Sequence, residues 1–285
     1  MPIVPINEIL NDALNSHYGV GAFNIVNELT LRAVLQAAEE QHSPVIIQTS
    51  IKTVKAMGLD LLYAIWEEMA KKTTVPVCLH LDHCPDRALI SACLAKGWGS
   101  VLFDASAMSL AENRRQTIEV VAEARKVGAA VEGEIDSIKT TDEVAESSDM
   151  EHYSLDVSLN FIRDTNIDIF APAIGNAHGL YKKSPTLDMQ LVSDIVEAHP
   201  IPIALHGGTG LSDAQFQALI QRGCAKINIS TALKISYMQA NLVFLKEAEA
   251  ENRWNPLALF THVEREVKDM AARYMQVFGS AGKAL

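Results

Sequence analysis

The sequence predicts an α/β protein built as a (β/α)8 barrel, the TIM-barrel architecture, with an additional helical segment at its C-terminus. Three observations carry that reading. Eight short runs are almost continuously apolar and β-leaning, as strands buried on both faces must be. A segment of helical apolar period follows each run, so successive strands need a crossover and run parallel. The alternation is complete within about 250 residues, the usual length of one such barrel. An open doubly wound sheet is the competing arrangement, but the GxGxxG signature that would follow its first strand is absent after Ile25. One barrel domain over residues 1–285 is therefore expected.

The elements follow in order. GVGAFNI (19–25) is the first strand, and a helix over 28–41 begins after Asn27, a residue type that caps helix N-termini. PVIIQTS (44–50) precedes a helix at 59–72, and PVCLHLDH (76–83) precedes an Ala/Leu-rich helix at 86–97 opened by Asp86. SVLFDAS (100–106) leads to 109–126, and AAVEGEI (129–135) to 155–165. IDIFAPAIG (167–175) leads to 187–197, PIALHG (202–207) to 212–222 with Ser212 opening it, and CAKINIS (224–230) to 231–250. A ninth amphipathic segment, 257–277, spaces Leu259, Val263, Val267 and Met270 for packing on the barrel or on a neighbouring subunit. The connection after the fifth strand, DSIKTTDEVAESSDMEHYS, is far longer than the usual two to six residues and reads as a lid or as a solvated insertion.

Charge and composition exclude several function classes. With 24 basic and 35 acidic side chains the net charge is −11, and no Lys/Arg-rich block interrupts it, so neither nucleic acid nor an anionic membrane is expected as a partner. No secretory leader pattern and no run of about 18 apolar residues occurs. Cys78, Cys84, Cys93 and Cys224 lie in or beside apolar segments without a CxxC pair, which suits buried free thiols and a cytoplasmic location.

In such a barrel the chemistry gathers where the strands end at their carboxyl side. His83, His178 and His206 stand at the ends of strands three, six and seven. Three imidazoles with an open fourth position make a catalytic zinc site. Asp82, next to one of them, suits a general acid/base or a carboxylate that only orients an imidazole. His80 shares a strand face with Asp82 by the two-residue period. Glu134, at the end of strand five, is a second acid/base or an alternate ligand. The ends of strands seven and eight, His206-Gly207-Gly208-Thr209-Gly210 and Asn228-Ile229-Ser230-Thr231, offer backbone N–H groups and a helix N-terminus as a phosphate cradle. Lys226, inside the eighth strand, is the nearest Schiff-base candidate and is assigned a structural role.

These segments together resemble the zinc-dependent class II ketose-bisphosphate aldolases, in particular the tagatose- and fructose-bisphosphate branch. The likeness runs from GAFNI through SPVIIQTS, HLDH, VEGEI, AIGNAHGLYK, LHGGTGL and KINISTALK to FGSAGKA. The resemblance implies reversible aldol cleavage to dihydroxyacetone phosphate and an aldehyde. It implies one Zn2+ per subunit on His83, His178 and His206, together with a monovalent cation, and a proton transfer at the C4 hydroxyl by Asp82. It assigns dihydroxyacetone phosphate to Gly179, Gly207, Gly208, Thr209, Asn228, Ser230 and Thr231, the ketose carbonyl to Ser50, and a position near zinc to Glu134. Counting eight residues on from Glu134 gives Asp142 as the lid acid, with Glu143 beside it.

The chain departs from the family in two places. The lid lacks the usual glycine pair, and Ile51-Lys52 follows Ser50 where relatives carry Pro-Gly. The aldehyde half can therefore differ from glyceraldehyde 3-phosphate, and an aldolase for another ketose 1-phosphate remains open. The family also implies a homodimer or homotetramer. A zinc hydrolase would leave the twin phosphate-binding ends unexplained. A non-catalytic subunit stabilising a partner aldolase would not need Asp82, His83, His178 and His206 intact.

Overall fold

The computed structural model describes residues 2–136, 138, 140–141, 153–181 and 185–284. Eight parallel strands close into a barrel in sequence order. They are β1 Val20–Asn24, β2 Val45–Ser50, β3 Val77–Cys84, β4 Ser100–Phe103, β5 Ala130–Glu134, β6 Ile169–Ala171, β7 Ile203–Leu205 and β8 Cys224–Ile229. The helices among the described residues are α1 Ile6–Asn15, α2 Glu28–Gln41, α3 Ile51–Met57, α4 Leu59–Ala70, α5 Arg87–Lys96 and α6 Leu110–Arg125. They continue with α7 Leu155–Thr165, α8 Met189–Ala198, α9 Asp213–Ile220, α10 Thr231–Ala250 and α11 Pro256–Phe278.

The expected caps are formed. Asn27 accepts from Thr30 N, Asp86 from Leu89 N and Ser212 from Gln215 N. Strands four and seven end sooner than their apolar runs, where Asp104 and His206 follow the ladder, and strand six ends before Pro172, which has no N–H to give it.

Two helices lie outside the sequence expectation. Helix α1 precedes the first strand and plugs the N-terminal end of the barrel, burying Ile6, Ile9, Leu10 and Ala13 against inward-facing Val20, Ala22, Ile46, Cys78, Ala204 and Ala225. Helix α3 is a short addition capped by Ser50. The C-terminal helix α11 takes up one of its two expected contacts. It packs on this barrel, with Val263, Val267, Ala271 and Met275 buried, and ion pairs Arg32–Glu264 (2.9 Å) and Lys268–Glu40 (2.7 Å) tie it to α2.

Inside the barrel the two-residue strand period stacks residues in layers. Above the apolar layer sealed by α1 comes a buried polar layer of Asn24, Gln48, His80, Ser100, Glu132 and Lys226. Above that stand Ser50, Asp82, Glu134, His206 and Asn228, at the carboxyl mouth. All four cysteines are buried free thiols. Among the described residues, no helix is long and apolar enough to cross a membrane.

Candidate active site

A single cavity of about 600 Å3 at the mouth is lined by Ser50, Asp82, His83, Glu134, His178, Gly179, Gly207, Gly208, Thr209, Asn228, Ser230 and Thr231. With buried His206 beneath it, every sequence-derived site residue within the described chain is brought together there. Asp142 and its neighbour Glu143 lie outside the described residues.

Strict alternation would turn Asp82 and His83 to opposite faces of β3. Instead, the β3–β4 register shifts between Leu81 and Cys84, and His83 takes φ +42°, a left-handed conformation unusual for histidine. This bulge lets Asp82 and His83 both address the mouth. The three imidazoles converge, with ring centroids 4.7 Å apart for His83 and His206, 5.0 Å for His83 and His178, and 5.8 Å for His178 and His206.

The donor set fits a divalent ion. One nitrogen from each of the three histidines can be chosen so that all lie within 4.8 Å of one another. His83 Nε2 and His206 Nδ1 face each other at 2.9 Å, close to the roughly 3.3 Å that two imidazole nitrogens keep across a tetrahedral zinc. Their other nitrogens are held by carboxylates, His83 Nδ1 by Asp104 at 3.0 Å and His206 Nε2 by Glu132 at 2.7 Å. With those nitrogens donating, the inward ones are left as lone pairs, the carboxylate–histidine–metal arrangement. A second, overlapping set, His83, Asp104 and Glu134, is equally compact and keeps the alternate-ligand reading of Glu134 open.

Electrostatics follow from the same contacts. Burial, helped by positive charge on His83, holds His206 far below the usual imidazole range and His178 at about 4, so both stay neutral. Burial also acts on His83, but the carboxylates of Asp82, Asp104 and Glu134 outweigh it and raise the ring to about 10. Without metal the trio thus carries its proton on His83, and a cation at the same place competes with that proton. Burial would raise Asp82, yet the charges of His83 and Lys226 and the Asn24 hydrogen bond keep it below its ordinary value. Glu134 goes the other way. Burial and the nearby Asp104, Glu132 and Asp82 outweigh His83 and push it well up, and its Oε2 is buried with no hydrogen-bond partner among the described residues.

Beneath the mouth, the polar layer orients Asp82. Asn24 Nδ2 donates to Asp82 Oδ2 at 2.8 Å, and Gln48 Nε2 fixes Asn24 by donating to its Oδ1 at 2.7 Å. Lys226 Nζ donates to Asn228 Oδ1 at 2.7 Å, which leaves Asn228 Nδ2 to face Asp82 Oδ1 at 3.4 Å. Lys226 also lies 2.9 Å from Glu132 Oε2, so its structural assignment takes the specific form of a buried ion pair under the metal site.

The glycine-rich rims are built by close approach. Asn176 Nδ2 donates to the His206 carbonyl at 3.0 Å, and a Cβ at Gly207, where φ is +64°, would lie 2.1 Å from the Ala177 carbonyl oxygen. We expect Gly207→Ala to cost about 2 kcal/mol or more in urea unfolding and to lower metal content, because His178 and His206 flank the clash. On the other rim the Ser230 side chain makes no cap bond to α10, and Thr209 Oγ1 accepts from Ala232 N at 3.2 Å.

The family model of class-II fructose-bisphosphate aldolases matches residues 4–283. The chain belongs to that family. This class-II aldolase is 34% identical to the fructose-bisphosphate aldolase of Geobacillus stearothermophilus, over 100% of this chain and 99% of the relative. It is 34% identical to the sulfofructosephosphate aldolase of Alkalicoccus urumqiensis, over 97% and 96% of the two chains. The crystal structure of the YdjI aldolase from Escherichia coli K12 superposes with a TM-score of 0.87 at 34% identity, covering 99% of this chain and 100% of the other.

Several residues of the aldolase cavity escaped the sequence reading. Asp104 carries no motif, and Glu132, buried beneath the cavity, lies in VEGEI on the same inner face as Glu134 by the two-residue period but drew no role from it. Asn24 and Lys234 also line the cavity, and only the closed barrel brings them to it; Lys52, expected near the substrate as a departure from the family, lines it too.

Proposed function

We propose that this aldolase uses Zn2+ to cleave a ketose phosphate reversibly, such as tagatose or fructose 1,6-bisphosphate, into dihydroxyacetone phosphate and an aldehyde. The observation that carries the reading is the convergence of His83, His178 and His206 with Asp82 and the glycine-rich ends of β7 and β8 in one cavity. Two relatives are named for substrates with an anion at both ends, a bisphosphate and a sulfo-phosphate. That agrees with a cavity serving more than one anionic group.

Zn2+ held by the three imidazoles would act as a Lewis acid on the ketone oxygen and offset the charge left at C3. The protein's own groups do the rest. Gly179, Gly207, Gly208, Thr209, Ser230 and Thr231 present N–H and hydroxyl donors to the phosphate, with Lys234 in the first turn of α10 adding a cation. Asn228 reaches the same ligand from the side of Asp82. Ser50 Oγ accepts from Thr53 N at 3.2 Å and lies 3.1 Å from Thr53 Oγ1, contacts that hold its hydroxyl at the mouth, where it turns from Thr53 to the ketose carbonyl when substrate is bound. Asp82, kept ionised and held by two amides, removes the C4 hydroxyl proton as the C3–C4 bond breaks, leaving the aldehyde. In the other direction it returns that proton. Glu134, buried and with its carboxyl pushed above its ordinary value, is suited to exchange a proton at the three-carbon fragment, with Asp142 as the lid acid in the same role.

The enzyme assembles as a homodimer or homotetramer. Exposed Met238, Leu242 and Leu245 on α10 and Trp254, Leu257 and Phe260 at the start of α11 form an apolar surface of the kind that subunits cover. Buried free thiols accord with a cytoplasmic enzyme.

Condensation of dihydroxyacetone phosphate with a panel of phosphorylated and unphosphorylated aldehydes tests the reaction. Zinc-loaded protein should form a ketose phosphate, and chelation should abolish it. Ester or amide hydrolysis without condensation, or activity only in the presence of a partner aldolase, would overturn the reading.

A further inference from the structure

Two lysines line the cavity, Lys234 beside the glycine-rich ends of β7 and β8 and Lys52 just past the end of β2. Among the described residues neither is paired with a carboxylate, although the same cavity presents Asp82, Asp104 and Glu134. Those acids face other groups. Asp82 takes hydrogen bonds from Asn24 and Asn228, Asp104 faces His83, and Glu134 lies 3.7 Å from His206. An uncompensated ammonium at the mouth of a site in a chain of net charge −11 is a receptor for an anion.

Lys234 belongs with the phosphate cradle. Lys52 does not, since β1 intervenes and the end of β2 stands two strands from β8, roughly 10 Å around the rim at the usual strand spacing. Ser50 is in direct register with Asp82. With the ketose carbonyl assigned to Ser50 and the C4 hydroxyl to Asp82, the bond that breaks lies on the β2–β3 side of the mouth, and Lys52 is the cavity's cation on that side. The turn bearing Lys52 is fixed from below. Thr53 Oγ1 donates to the Ile25 carbonyl at 3.2 Å, and Ile51 packs on the core. Lys52 itself is exposed, and its stem is free to reach over the mouth.

We propose that Lys52 is a specificity-determining residue that holds an anionic group on the aldehyde half of the substrate: a phosphate, a sulfonate or a carboxylate. This rests on the aldolase reading above and adds the residue of this chain that reads the far end of the substrate. An ammonium has three rotatable donors and no fixed fork, so it serves tetrahedral and trigonal anions alike.

The test compares wild type, Lys52→Met and Lys52→Arg, zinc-loaded, condensing dihydroxyacetone phosphate with glyceraldehyde 3-phosphate, succinic semialdehyde and neutral glyceraldehyde. Wild type should favour at least one of the two anionic aldehydes over glyceraldehyde. Lys52→Met should lower kcat/KM for that aldehyde about 10- to 100-fold, the range for a hydrogen bond to a charged group, with little change for glyceraldehyde. Lys52→Arg should retain most of the preference, and added salt should erode it. The favoured anion identifies the group that Lys52 reads. Equal losses on all three aldehydes, or no loss on any, would overturn the proposal while leaving the aldolase reading intact. Failure to condense any aldehyde would overturn both.

Discussion

Asp82→Asn lowers the turnover of cleavage by about 100- to 10,000-fold, the span typical for removal of a general base, with metal content and fold retained. Asparagine matches the shape of the carboxylate but cannot take the C4 proton. Its fit is also imperfect, because Asn24 and Asn228 both donate to Asp82 and one of them would meet an NH2 group. That mismatch costs about 1–2 kcal/mol of stability, separable from the catalytic loss. Rapid-quench measurement of one turnover checks the chemistry directly. Turnover within about threefold of wild type would remove Asp82 from the proposed mechanism.

Lys226→Met destabilises the barrel by about 3–5 kcal/mol, as expected when one partner of a buried ion pair is removed and the other is stranded. Lys226 and Glu132 are both fully buried, 2.9 Å apart. Burial would raise Glu132, but the charge and hydrogen bond of Lys226 hold it below its ordinary value and so keep it available to His206. The double variant Lys226→Met, Glu132→Gln should recover much of the loss in urea unfolding, because no charge is then left alone. Zinc affinity should still fall about 10- to 100-fold in the double variant, since His206 loses the carboxylate that fixes its ring. A double variant no more stable than Lys226→Met would contradict the pairing.

The barrel was legible because each strand is buried on both faces and writes an apolar run into the chain. Helix α1 was not, since IVPINEILNDALN precedes any strand and its packing site exists only once eight strands have closed. At the mouth, the histidine-, glycine- and acid-bearing strand ends mark themselves. Asp104 does not, because it follows the short fourth strand and acquires meaning only when the bulge in β3 turns His83 toward it. Lys52 was legible as a departure beside Ser50, but that it lines the mouth with its ammonium unpaired among the described residues needed the closed barrel.

The account stands on three imidazoles sharing one ion. Titration of metal-free protein with Co2+, followed by absorbance and by metal analysis of the isolated complex, measures that directly. One ion per chain with nitrogen-dominated low-coordinate bands, lost in His83→Ala and His206→Ala and retained in His80→Gln, is the predicted result. Substoichiometric binding, or binding indifferent to His83 and His206, would contradict it.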